Sequence, residues 1–254
     1  MKILDITSKI GCKNMCSYCP QDKLVKAYTD HKKQINFSEF QIMMKNVPKD
    51  VRINFAGFGE AFLNPESSLM MKYCIQNGYY TTLYTTFTGF TDNDGEILRG
   101  LTFESVVFHD YDGFGFNREE FEVKKNKFKK NVNTKNDYQT AIVSQPEKSI
   151  KGVDLWSRGG NLFDIKETLN PVVCPASPGE TFDHNIALPN GDVVLCCMDF
   201  GLKHIIGNLF NTHYNDLDRK SIKILANQRK SDLLCRKCEV ARLKYSLPHQ
   251  ITIN

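Results

Sequence analysis

Apolar and polar residues alternate along residues 3–8, Ile-Leu-Asp-Ile-Thr-Ser, which predicts a β-strand near the start of the chain. A helix is expected over residues 37–46, started by Ser38 as a cap. Residues 51–55 read as a second strand that runs into Ala56-Gly57-Phe58-Gly59-Glu60. Residues 65–76 read as a helix closed by Gly78, and the β-branched and aromatic run 79–86 as a strand. Further along, helices are expected over 92–99 and 117–132 and strands over 105–109 and 140–144. Such alternation predicts an α/β fold, a parallel sheet with crossover helices that closes in part into a (β/α) barrel. After Arg158 the alternation stops and the chain becomes loop-rich and cysteine-bearing. A boundary is expected near 155–165, dividing the chain into residues 1–160 and 161–254.

Composition changes this picture little. The chain has 254 residues and a net charge of +4, with 41% hydrophobic and 24% charged residues, the profile of an ordinary globule rather than a disordered or low-complexity chain. The longest unbroken apolar run, residues 193–198, is far below the roughly 20 residues of a membrane span. The N-terminus lacks the apolar stretch of a signal peptide, so a cytoplasmic protein with no membrane partner is expected. A net charge of +4 is too small to argue for nucleic acid. The lysine-rich stretch 118–135 reads as a solvated helix: its acids come first, its lysines last, and Phe121, Phe128 and Val132 share one face.

Cysteine changes it most. There are nine, and eight fall in two groups; clustered thiols in a reducing compartment point to metal or catalysis before disulfides. Cys12, Cys16 and Cys19 place three thiolates in eight residues, directly after the first strand. A structural zinc ion takes four ligands and a cubane iron–sulfur cluster normally four cysteines, so three leave one iron open to a small molecule. The loop puts that position at the C-terminal edge of the sheet, where α/β enzymes bind substrates. A zinc knuckle with His31 as fourth ligand is the alternative. In the second group, Cys174, Cys196, Cys235 and Cys238 can close a four-cysteine site, for which a zinc ribbon is the alternative. Cys74 reads as core, and Cys197 as either a packing residue or a thiol near the substrate.

The spacing Cys12-x3-Cys16-x2-Cys19, with Tyr18 directly before the last cysteine, resembles the radical S-adenosylmethionine (SAM) enzymes. In that family the three cysteines hold a 4Fe-4S cluster whose open iron is chelated by SAM, and a 5′-deoxyadenosyl radical is released to abstract hydrogen from substrate. Gly57-Phe58-Gly59-Glu60 resembles, as a variant, the family's Gly-Gly-Glu stretch. The resemblance makes Tyr18, Gly57, Gly59 and Glu60 cofactor-binding residues, with Glu60 toward the methionine ammonium. The second cysteine group, with Gly191-x4-Cys196 and the trailing Gly207-Asn208-Leu209, resembles the short "twitch" form of the SPASM extension. That implies a small C-terminal iron–sulfur domain with an auxiliary 4Fe-4S cluster on Cys174, Cys196, Cys235 and Cys238.

Trp156-Ser157-Arg158-Gly159-Gly160 resembles a Ser-Arg-Ala-Gly stretch in the branch of the family that acts on sugars and aminocyclitols, dehydrogenation of 2-deoxy-scyllo-inosamine being the nearest comparison. This implies a radical SAM oxidoreductase that oxidises a carbinol carbon of a sugar, nucleotide-sugar or aminocyclitol, with Arg158 on the substrate hydroxyl. It also implies an electron donor such as flavodoxin or ferredoxin. Two alternatives stand beside it. One is an epimerase with Cys197 as hydrogen-atom donor, the other a peptide-modifying maturase. The latter is disfavoured because a first strand at residue 3 leaves no room for a peptide-docking domain.

Overall fold

The structure is a computed structural model that describes residues 1–14, 16, 18–111, 116–143, 157–177 and 181–244. Its strands are β1 (Ile3–Ile6), β2 (Arg52–Phe55), β3 (Thr81–Thr85), β4 (Thr102–Phe103), β5 (Ser105–Tyr111), β6 (Asn133–Thr134) and β7 (Gln139–Val143), followed by β8 (Val172–Val173), β9 (His184–Ala187), β10 (Asp192–Val194), β11 (Ile205–Asn208) and β12 (Arg242–Leu243). Its helices are α1 (Gln21–Ala27), α2 (Phe37–Met44), α3 (Ser67–Gln76), α4 (Asp92–Ile97), α5 (Arg118–Asn131) and α6 (Arg219–Asn227). The main sheet runs β11-β10-β9-β1-β2-β3-β5-β7. Its β9-to-β7 part is parallel, and β10 and β11 add antiparallel. Among the described residues the sheet is open at both edges, a partial barrel. Two-stranded pairs β4–β6 and β8–β12 lie outside it.

Alternation along the strands divides the sheet into two faces. Leu4, Ile6, Ile53, Phe55, Leu83 and Phe108 pack with Phe40, Met43, Met70, Met71, Phe121 and Phe128 of the helices in the main core. Phe87 is its hub: its ring lies 5.3–6.2 Å from those of Phe62, Phe90, Phe108, Phe121 and Phe128. Truncating one such phenylalanine costs roughly 3–5 kcal/mol. Cys74 is buried in this core, among the methionines of α3. The opposite face carries Asp5, Asn54 and Thr82, which share one level by register.

Two local expectations are corrected. Ser38 does not cap α2. Asn36 does, accepting from Glu39 N at 2.9 Å while the Glu39 carboxylate accepts from Asn36 N at 3.0 Å. The Ser38 hydroxyl instead donates to Asn36 Oδ1. Helices α1 and α6 were not expected; α1 buries only Leu24, too little for a periodic signal. The last expected strand lies at Gln139–Val143, with Ser144 outside the described residues. The division at residue 160 remains an organisational proposal, because β9 pairs directly with β1 in one continuous sheet.

Candidate functional site

β1 leads through Thr7–Ile10 into the first cysteine loop, and β2 leads into residues 57–60 beside it. Gly57 holds φ +81°, and a Cβ there would sit 2.3 Å from Thr7 Oγ1; one on Gly59 would sit 2.6 Å from the Lys9 carbonyl. The two glycines therefore let this loop press against the run that leads to Cys12. The Thr7 hydroxyl accepts from Phe58 N at 3.0 Å. With its amide oriented to satisfy both ends, Gln21 accepts from Cys12 N at 3.3 Å and donates to Phe58 O at 3.1 Å.

Glu60 lies beneath Cys12, buried, and accepts from four donors: Phe62 N (3.3 Å), Thr85 Oγ1 (2.8 Å), Thr86 N (2.7 Å) and Thr86 Oγ1 (2.7 Å). These use the acceptor positions of both oxygens. Contact with an ammonium therefore needs one donor to turn away, and the Thr86 hydroxyl, which also accepts from Asn14 Nδ2 at 2.8 Å, has Thr88 Oγ1 at 3.1 Å as an alternative acceptor. Burial pushes the Glu60 carboxyl up.

The three thiols of the loop are half-buried. Burial raises Cys12, with the Glu60 charge adding to it, and pushes Cys19 up to about 11 against the pull of Arg158. Tyr18 contacts Cys16 and is pushed up by burial and that thiol.

The second set converges from three segments. Cys196 opens a turn after β10, closed by Asp199 N donating to Cys196 O at 3.0 Å. Cys235 lies in the 3-10 turn Leu234–Lys237 and Cys238 directly follows it, the turn being fixed by Leu234 N donating to His204 Nε2 at 3.1 Å. Cys174 follows β8, and its charge is felt at both Cys235 and Cys238. Burial pushes Cys196 well up, Cys235 up to about 12, and Cys238 up. Among the described residues, no three Cys, His, Asp or Glu side chains close around a single ion-sized point.

Cys196 and Cys197 face different surroundings. Cys196, like Cys174, packs against the main core that includes Cys235, whereas Cys197, like Cys19, packs against a smaller cluster around Phe58, Ile186 and Phe200. Arg158 stands where these meet: its charge acts on Tyr18, Cys19 and Cys197. It holds φ +56°, followed by Gly159 at +66° and Gly160 at +75°. Asn161 Nδ2 donates to both Arg158 O and Met198 O, tying this turn to that of Cys197. The guanidinium lies 5.3 Å from the Phe200 ring centre, and Nε is buried with no hydrogen-bond partner among the described residues. Trp156 lies outside the described residues.

Sequence reasoning missed a polar layer on the inner face. Asp5 Oδ1 accepts from Asn54 Nδ2 at 2.8 Å and faces His184 Nε2 at 3.3 Å, and its charge reaches Cys197. The signal was present as Asp5 between Leu4 and Ile6: barrel interiors usually hold branched apolar residues.

Comparison with known proteins shows what this geometry is similar to. Residues 180–239 match the SPASM model, an iron–sulfur cluster-binding domain, and contain Cys196, Cys235 and Cys238. The chain is similar to the solved structure of BtrN in complex with AdoMet and 2-DOIA, with a TM-score of 0.65 and 17% identity over 94% of this chain and 93% of that one. It is also similar to anSMEcpe with bound AdoMet, with a TM-score of 0.54 and 12% identity over 93% and 86%. The chain shares the fold of these AdoMet-bound structures, and its residues 180–239 are similar to the SPASM domain. At these identities the structural likeness is one of fold, and no curated protein matches the chain in sequence. The SPASM match begins after Cys174, which the fold nevertheless brings to Cys235 and Cys238.

The residues fit iron–sulfur clusters at both places. Each donor set is all sulfur, and burial disfavours free thiolates that a bound cluster would stabilise by ligating them. No helix among the described residues is long and apolar enough to cross a membrane.

Proposed function

We propose that this protein is a radical SAM enzyme that oxidises a carbinol carbon of a sugar, nucleotide-sugar or aminocyclitol. The observation that carries the reading is Arg158, a half-buried cation whose buried Nε has no hydrogen-bond partner among the described residues, between the first cysteine loop and the turn of the second. Cys12, Cys16 and Cys19 would hold the SAM-binding cluster, and Cys174, Cys196, Cys235 and Cys238 the auxiliary one. The SAM-binding cluster with its SAM supplies a hydrogen-abstracting 5′-deoxyadenosyl radical, with electrons from a flavodoxin- or ferredoxin-type donor. Tyr18, Gly57 and Gly59 shape the loop around that cofactor, and Glu60 would face the methionine ammonium once a threonine donor turns away. Arg158 binds the oxygen of the reacting carbon: guanidinium offers five donors, never loses its charge, and stabilises negative charge building on that oxygen. Phe58 and Phe200, with rings 4.7 Å apart, form the water-excluding wall.

A second reading rests on Cys197. It packs against the same apolar cluster as Cys19, and burial pushes its thiol up to about 11, so it carries a hydrogen at neutral pH. Such a group can return a hydrogen atom to a substrate radical, which makes the enzyme an epimerase. Anaerobic turnover in deuterated water separates the two, with 5′-deoxyadenosine followed alongside product. We expect a product lacking two hydrogens, formed equally by wild type and Cys197→Ser. Solvent deuterium in the product only when Cys197 is present would establish the epimerase instead. Absence of 5′-deoxyadenosine with every sugar and aminocyclitol tried would overturn the proposed substrate class.

A further inference from the structure

Arg236 occupies the second position of the Cys235-x2-Cys238 turn and is 2% exposed, the largest of the fully buried side chains. All five of its N–H groups find acceptors. Nε donates to Ser231 Oγ at 2.8 Å, and Nη1 to the carbonyls of Thr168 at 3.0 Å and Asn170 at 2.9 Å. Nη2 donates to the carbonyls of Leu225 at 3.2 Å and Gln228 at 2.5 Å. Those last two belong to the C-terminal end of α6, where carbonyls lack intrahelical partners and the helix dipole is negative. Thr168 N donates back to Arg236 O at 2.8 Å. One guanidinium thus joins the two-cysteine turn to the end of α6 and to the segment that leads into β8 and Cys174.

The acceptors satisfy its hydrogen bonds but bring no full negative charge. None of the ion pairs among the described residues includes Arg236. Burying a charge on neutral dipoles alone is costly, and such a group needs a reason to be there. Its positive charge acts on Cys235, one residue away. Four thiolates and a cubane cluster would bring net negative charge to this spot, and reduction would add one more. A fixed cation in a poorly screened interior stabilises the reduced form more than the oxidised one.

We propose that Arg236 is the positioning residue of the auxiliary cluster: its hydrogen bonds hold Cys235 and Cys238 toward Cys174, and its buried positive charge raises the cluster's reduction potential. The inference rests on the reading of Cys174, Cys196, Cys235 and Cys238 as that cluster's ligands. A raised potential suits a cluster that accepts an electron from the substrate side.

The test uses the full chain with Cys12, Cys16 and Cys19 replaced by Ala, so that a single cluster remains, with iron and sulfide analysis and a dye-mediated potentiometric titration. Arg236→Lys keeps the charge with fewer donors; Arg236→Gln removes the charge. We expect both parent and Arg236→Lys to hold a cluster at closely similar potentials, and Arg236→Gln to titrate at a clearly more negative one. Loss of the cluster from Arg236→Gln but not from Arg236→Lys also supports the assignment, since charge is then what the site requires. An unchanged potential in Arg236→Gln, an equal shift in both variants, or loss of the cluster from both overturns the electrostatic role. A parent without iron overturns the ligand reading beneath it.

Discussion

His109 shows at the residue scale how the inner face of the sheet makes chemistry depend on burial. Its ring centre lies 5.6 Å from that of Tyr84, and burial pulls its pKa from 6.5 to about 4. The folded state therefore holds the proton less tightly than the unfolded chain. Its stabilising contribution is complete above about pH 6.5 and is lost as the pH falls toward 4, by at most about 3 kcal/mol at 1.36 kcal/mol per unit. Urea unfolding at neutral pH and near pH 5 should show that loss in wild type and a smaller one in His109→Phe. Equal pH dependence in the two proteins would mean that another group governs acid sensitivity. Glu60 illustrates the same theme with a different outcome. The resemblance pointed it at a ligand, yet the folded chain surrounds it with its own donors from Thr85 and Thr86.

At the scale of elements, caps and pairing decide where helices begin and what their charged faces do. The Asn36–Glu39 capping box implies that Asn36→Ala costs about 1 kcal/mol, while Ser38→Ala stays within about 0.5 kcal/mol. Thermal melts of the two variants check this, and a larger loss in Ser38→Ala would contradict the assignment. Four of the five lysines of α5 are likewise committed locally. Lys124 pairs with Glu120 at 2.7 Å, Lys125 with Glu122, and Lys127 with Asp92, while Lys129 lies over the rings of Phe108 and Tyr138. Phe121 and Phe128 anchor the other side in the core. The helix is amphipathic because its apolar residues recur on one face, and its cations complete a surface rather than form a free basic stripe.

For the whole molecule, the central fact is that β9 pairs with β1. β9 pairs parallel with β1, which precedes the first cysteine loop, and antiparallel with β10, which precedes the Cys196 turn, so the strands leading to Cys12 and to Cys196 belong to one continuous sheet. Two sets that each hold a cubane predict about eight irons per chain. Replacing Cys12, Cys16 and Cys19 with Ala should leave about four, as should replacing Cys174, Cys196, Cys235 and Cys238. Iron and sulfide analysis after anaerobic purification reads this directly. Zinc in place of iron at the second set would replace the auxiliary cluster with a structural ion.

Apart from α1 and the short β4 and β6, the strands and helices through β7 were legible in the chain, because period-2 and helical patterns of apolar residues report which side of an element meets a core. The two cysteine groups were equally legible, since ligand spacing within a loop is a local property. What the sequence alone could not show is what depends on distant segments meeting. Cys174 joins Cys235 and Cys238 only through the β8–β12 pairing and the buried Arg236. Cys197 and Cys196 part to different sides because a turn falls between β10 and β11. Arg158 reaches Cys19 only because a left-handed turn docks on Met198. Asp5, Asn54 and His184 form one layer only once three strands take their register. Local patterns are set by the neighbours in sequence, whereas charge placement and burial are set by neighbours in space, which the tertiary structure alone decides.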